Sequence, residues 1–218
     1  MLDLPGLMRS LAAGRPIFSS EADFQFALAW HIQLAHPSTR LRLEYRPAYL
    51  DRRGYIDIWV ASDAWTAAIE LKYFTRAIDI VVGGERFELL NQGAQDVSRY
   101  DFVRDVGRVE SVARAQPGVK GYAIALTNDS SYWRTPSVLR STADAAFRLH
   151  EGQTLEGSLA WGATAGPGTM RGRTTPHEIV GRYALGWRDY SEIAPGPAGI
   201  FRYLLVEAEL GSPRLDPT

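Results

Sequence analysis

The sequence predicts a single α/β domain, a central mixed sheet flanked by helices with extra C-terminal β-strands, and three observations carry that expectation. "TRLRLEYRPAY", "YIDIWVAS" and "TAAIELKYF" are three strand-like stretches in succession, parted only by short polar breaks. A long amphipathic stretch follows, and then "GYAIALTN", the near-continuous apolar run of a strand covered on both faces. Beyond it, "AFRLHE", "GSLAWG", "YALGWRDY" and "FRYLLVEAEL" read as further short strands.

Each element has its own signal. In "SSEADFQFALAWHIQLA", Ser19 or Ser20 can cap a helix over 20–35 that carries Phe24 and Leu28. In the next stretch Leu41, Leu43 and Tyr45 alternate with Arg42, Glu44 and Arg46, the period of a half-buried strand. "LDRRG" reads as a turn, with Gly54 free to take a positive φ. The strands on either side of Asp63 then complete an antiparallel meander of three. A helix is expected over about 85–106, with Leu90, Ala94 and Val97 on one face. "GATAGPGTMRGRTT" is expected as a mobile loop. No repeat or linker divides residues 1–218.

Composition narrows the chemistry. With 218 residues, 45% of them hydrophobic, the chain can bury a sizeable core. Its formal net charge of −1 excludes a uniformly basic coat, so an anionic ligand must be held by a local patch or by metal ions. The absence of cysteine excludes disulfides and thiolate metal sites. No stretch reads as a leader or a membrane span, and the expectation is a cytoplasmic protein with no membrane partner.

Three ionisable residues stand inside the second and third strands, where an unpaired buried charge costs several kcal/mol, of order. Alternation puts Glu70 and Lys72 on one face of their strand, and Asp57 on a face with Tyr55 and Trp59 of the preceding one. If the two strands pair as a hairpin, Asp57 and Glu70 converge with Lys72 beside them. Two such carboxylates repel unless a cation lies between them. A hard divalent ion, Mg²⁺ or Mn²⁺, suits oxygen ligands, and such an ion can activate water for attack on a phosphate. A nearby lysine can orient that water or neutralise developing charge.

Asp57 followed thirteen residues on by Glu70-Leu71-Lys72, on consecutive strands after a helix that carries Glu21, resembles the PD-(D/E)XK nuclease superfamily. The resemblance covers about residues 19–127 and leaves a β-rich extension over about 128–210. It implies a restriction-endonuclease-like core and metal-dependent hydrolysis of nucleic acid, with DNA the expected substrate, in restriction, phage defence or repair. It also implies that Asp57, Glu70 and the carbonyl of Leu71 hold the metal and that Lys72 assists catalysis. Glu21 matches the acidic residue of the first helix, and Gln95 the glutamine that some members add from the helix after the third strand. Two departures stand out: "YID" replaces the Pro-Asp, and Gln95 is followed by Arg99 instead of the tyrosine of the exonuclease branch. Arg46, Arg52, Arg53 and Arg99 are the candidate contacts to the nucleic-acid backbone. A homodimer or a partner subunit is compatible with this reading.

Blander readings stand beside these. A Glu-x-Lys on a strand is commonly a solvated ladder pair, and the three charges can equally form a structural ion-pair cluster. Glu21 in a first helical turn favours the helix dipole without any catalysis. The arginines of "DRRG" fit a solvated turn, and Gln95 and Arg99 a solvent face. "LTNDSSYW" offers Asn128, Tyr132 and Trp133 either as a stacking surface or as a capped loop packed on the core. The alternative to an enzyme is a catalytically inactive nuclease-fold module that binds nucleic acid or a protein partner.

Overall fold

The computed structural model describes residues 2–48, 50, 54–136 and 142–208. Two helices open the chain. In α1 (Leu4–Gly14) the Asp3 side chain accepts from the N–H of Gly6, Pro5 sits in the first turn, and Leu4, Leu7, Met8 and Leu11 are buried. Asp3 followed by Leu4-Pro5 is a helix-start signal already visible in the sequence. In α2 (Glu21–Ala35) Ser20 caps the N–H of Asp23, and Phe24, Leu28 and Ile32 form the buried stripe. The two helices lie together on one face of the sheet.

Strands β1 (Arg40–Tyr45), β2 (Ile56–Ala61) and β3 (Thr66–Phe74) form the expected antiparallel meander. A hairpin follows, β4 (Ile78–Val82) and β5 (Glu85–Leu89), joined by Gly83 and Gly84 at φ 60° and 87°. Positive φ at both central residues is what a tight hairpin turn requires, and glycine supplies it without strain. Only then does α3 (Gln95–Ala115) begin, and it leads into β6 (Val119–Thr127), which pairs parallel to β3. The remaining elements are β7 (Thr154–Leu159), the short α4 (Pro167–Met170), β8 (His177–Ala184), β9 (Trp187–Glu192) and β10 (Ile200–Ala208).

The central sheet has the order β1-β2-β3-β6-β10-β9, with β4–β5 and β7–β8 as separate hairpins. The strand-continuous apolar run of β6 sits at its centre. Tyr122, Ile124 and Leu126 face α1 and α2, while Ala123 and Ala125 face α3. The small side on the α3 face lets that helix come close. At Gly121 any Cβ would fall on the Val109 carbonyl of α3.

Four expectations about elements are corrected. Residues 85–94 are not helical, because Asp79–Glu88 and its neighbours pair as a hairpin and Ala94, at φ 58°, starts the helix in a left-handed conformation. Leu90 is accordingly exposed. "AFRLHE" has alternating burial at Phe147 and Leu149 but no strand partner among the described residues, so it forms a 3-10 turn (Ala145–Phe147) and extended chain. "YALGWRDY" spans the end of β8 and the start of β9. The last two strands are not appended to the sheet: β10 pairs directly with β6.

Candidate active site

The site lies where β3 outruns β2. The register Ile58↔Ile69 sets Asp57 opposite Glu70, and beyond that point β3 pairs, among the described residues, with β6 alone. The N–H groups of Leu71 and Tyr73 therefore face an open edge. Side-chain carboxylates take them: Asp57 Oδ2 accepts from Leu71 at 2.6 Å, and Glu21 Oε2 from Tyr73 at 2.9 Å. The carbonyl of Leu71 is on the same edge and accepts from Lys72 Nζ at 2.9 Å. Next door, β1 is distorted. Glu44 adopts φ 48° between the pairs Leu43↔Ile58 and Tyr45↔Ile56, beside Asp57. Gln25 of α2 clamps that distortion by donating to Glu44 Oε1 and to the carbonyl of Asp57, both at 2.8 Å.

Helix α3 supplies what the sequence reading did not. Asp105 is 1% exposed, and its carboxylate lies 3.0 Å from Lys72 Nζ and 3.3 Å from the Arg108 guanidinium. Arg108 also meets Glu70, itself 1% exposed, at 2.8 Å. Lys72 completes the ring with Glu21 at 3.7 Å. Asp57, Glu70, Lys72, Glu21 and Asp105 thus come together from four elements, graded from an exposed Glu21 to a buried Glu70. Glu70, Lys72 and Asp105 could meet because alternation on β3 points both charges at the α3 face. The signal missed was the start of α3. With that helix begun at Gln95, its third turn, not its first, reaches the site.

Charge is unbalanced here. Four carboxylates face Lys72 and Arg108, with Arg104 at 3.9 Å from Asp105. Burial, with repulsion from Asp105 and Glu21, pushes the Asp57 carboxyl up to about 6, against the pull of the Leu71 N–H and Lys72. Burial and the neighbouring Asp105 and Asp57 hold Glu70 well above the usual carboxylate range, although Arg108 opposes them. Burial works against the Lys72 ammonium, but Asp105, Glu21 and Asp57 outweigh it and raise its pKa. Lys72 is therefore a firmly protonated donor and not a base.

The residues fit a hard divalent cation by their chemistry. All the donors are oxygen, and four carboxylates outnumber the two cations, Lys72 and Arg108, that they face. Among the described residues, however, no group of three or more His, Asp or Glu side chains is already assembled to hold a metal ion. An ion would draw on the Leu71 carbonyl besides Asp57 and Glu70.

The other sequence candidates lie elsewhere. Gln95 is ten residues before Asp105 on α3, about 15 Å along the axis, and contacts Asp129 at 3.4 Å. Arg99 is buried and paired to Asp144 at 2.6 Å, so it is not on a solvent face. Arg46 is exposed at the end of β1. Arg52 and Arg53 lie outside the described residues. "LTNDSSYW" is a capped loop: Tyr132 stacks on Phe74, with ring centroids 4.6 Å apart, and Asn128 bonds the backbone of Arg76 and Ala198.

Comparison with known proteins found no matching family model, no matching curated protein and no matching solved structure. Among the described residues, no helix is long and apolar enough to cross a membrane.

Proposed function

We propose that this chain is a metal-dependent nuclease that hydrolyses phosphodiester bonds, with DNA as its substrate. The observation that carries the reading is the meeting of Asp57, Glu70 and Lys72 at an unpaired strand edge, with the Leu71 carbonyl between them and Glu21 at the open side. The surrounding order of elements, α2-β1-β2-β3-α3-β6 with β3 parallel to β6, supports the restriction-endonuclease-like assignment. Asp57, Glu70 and the Leu71 carbonyl would hold Mg²⁺ or Mn²⁺, which supplies positive charge to activate water and offset charge on the phosphate. Lys72, kept protonated by three carboxylates, donates to the attacked phosphate or orients the water. Asp105 fixes the Lys72 ammonium from behind, and Arg108 holds Glu70 in place through an ion pair. Water adds to phosphorus, one P–O bond breaks, and the products are a phosphate monoester and a free hydroxyl.

A second reading has its own observation. Glu70–Arg108 and Lys72–Asp105 are buried pairs of the kind a purely structural network contains, consistent with a catalytically inactive binding module. Activity separates the two. Wild type and the single variants Asp57→Ala, Glu70→Ala and Lys72→Ala are assayed on single- and double-stranded DNA and on RNA, with Mg²⁺, Ca²⁺ or EDTA. Cleavage by wild type in Mg²⁺ alone, lost in each variant while the folded circular dichroism spectrum persists, is the expected result. Cleavage that survives all three substitutions would refute the site.

A further inference from the structure

We propose that the outward face of α2 is the contact surface for a second copy of this chain, in a two-fold dimer whose α2 helices pack antiparallel across Trp30. The inference stands apart from the nuclease reading. Phe26, Trp30 and Leu34 are 63%, 67% and 61% exposed and follow one another at i, i+4 and i+8, a single row along the helix. Apolar residues scattered singly over a surface are ordinary, but a contiguous row of three marks a contact site. The opposite side of the same helix is filled by Phe24, Leu28 and Ile32, which pack on the sheet. From Phe24 to Ala35 the helix carries no Asp, Glu, Lys or Arg. A helix that is apolar on every side belongs in an interior, yet the described residues leave its outer side bare.

The face itself selects its occupant. A partner must offer an uncharged apolar surface of similar length. Among the described residues, no element other than α2 carries more than one exposed large apolar side chain, and Val81, Leu90, Val180 and Ile200 each stand alone. The face that matches α2 is therefore α2. The row is also self-complementary. Its spacing is even about Trp30, so a two-fold axis there sets Phe26 of each copy against Leu34 of the other and brings the two Trp30 rings together. Rows of this i+4 spacing are the ridges that helices of globular proteins most often interdigitate. Antiparallel packing also sets the positive end of each helix beside the negative end of the other.

Covering this face strands no polar group. Its polar neighbours already bond within the chain: Asp23 to Arg15, His31 to Ser10 of α1, and the Gln33 amide to the carbonyls of His36 and Pro37. The three apolar side chains present roughly 400 Å² of surface. With the exposed part of α1 around Ser10, each copy contributes roughly the 500 Å² that a specific interface must clear. A lipid surface fits less well, because helices that lie on a membrane flank their apolar face with lysine and arginine, and this stretch has neither.

The test reads the oligomeric state of the full chain. Sedimentation velocity from low to high micromolar concentration is expected to show a reversible dimer. Trp30→Glu should raise its Kd about thirtyfold or more, as loss of a central aromatic anchor does, with an unchanged circular dichroism spectrum. Val81→Glu, an equally exposed change elsewhere, should leave the dimer intact. The chain has no cysteine, so single substitutions report position. Under mild oxidation Trp30→Cys should cross-link to itself, and Phe26→Cys should cross-link to Leu34→Cys in preference to itself. A chain that stays monomeric throughout, a dimer that ignores Trp30→Glu, or a Trp30→Cys chain that fails to cross-link would overturn the proposal. So would a monomer that co-sediments with phosphatidylcholine–phosphatidylglycerol vesicles and loses them on Trp30→Glu. A dimer that never cleaves nucleic acid keeps this interface and loses only the nuclease reading.

Discussion

Replacing Asp57 by Asn asks what the carboxylate does to the fold. The substitution keeps the size and an oxygen that can accept from the Leu71 N–H, and it removes one charge from the group of four carboxylates. Burial and like charges raise this carboxyl from 3.8 to about 6. A gap of about two pH units corresponds to roughly 3 kcal/mol of cost to the ionised form. Solvent reaches part of Asp57, and an amide is a weaker acceptor, so a net gain of about 1–3 kcal/mol is expected for the variant. The sign follows from linkage. Between about pH 4 and 6 the folded chain holds a proton here that the unfolded chain has released. The stabilising contribution is thus full below about pH 4 and is lost as pH rises through about 6. Urea denaturation in EDTA should show the variant more stable at pH 8, with the two curves converging near pH 4. Adding Mn²⁺ at pH 7 should favour wild type, by about 2.7 kcal/mol at a hundredfold excess over Kd, because only wild type keeps the full donor set. A variant about 3–5 kcal/mol less stable than wild type at pH 8 in EDTA, with no response of wild type to Mn²⁺, would refute the reasoning and mark Asp57 as a satisfied structural partner.

Asp105→Asn should slow cleavage and move both limbs of the pH–rate profile to lower pH. Asp105 raises the pKa of Asp57 and Glu70 on the acid side and that of Lys72 on the alkaline side; unchanged limbs would remove it from the site. Gly121→Ala should destabilise the chain by about 2–3 kcal/mol in urea titrations, because the new methyl meets the Val109 backbone; a neutral result would contradict the close packing of α3 on β6. Ala94→Gly should stabilise by about 0.5–1 kcal/mol, as relief of the left-handed conformation exceeds the entropy cost of glycine.

Much of the charged centre was legible because a strand has a period of two, which fixed Glu70 and Lys72 on one face and let Asp57 oppose them. The meander that carries them depended on local turns, and local signals suffice for those. Asp105 and Arg108 were missed for a reason one hairpin long. "IDIVVGGERFEL" alternates about a Gly-Gly turn, yet its Glu and Leu content reads equally well as helix, and starting α3 there put Gln95 and Arg99 in the wrong place. The pairing of β10 with β6 had no sequence signal at all. It joins residues far apart in the chain, and nothing in an apolar run names the strand it will lie beside.

That pairing governs when the molecule can exist. β6 ends at Thr127, and the strand that covers its far edge begins only at Ile200. The N-terminal segment waits equally long, since the carbonyls of Arg15 and Pro16 accept from Tyr190 and Ser191. On the ribosome, every charged residue of the Asp57–Glu70–Lys72 cluster is therefore made well before the strand that closes the sheet beneath it. Until then β6 presents a bare apolar edge, open to pairing with other chains. Contacts of such long sequence separation also slow folding. A polypeptide that stops before β10 leaves that edge of β6 without its partner strand. The six-stranded sheet is thus complete only once the chain has been made through Ala208.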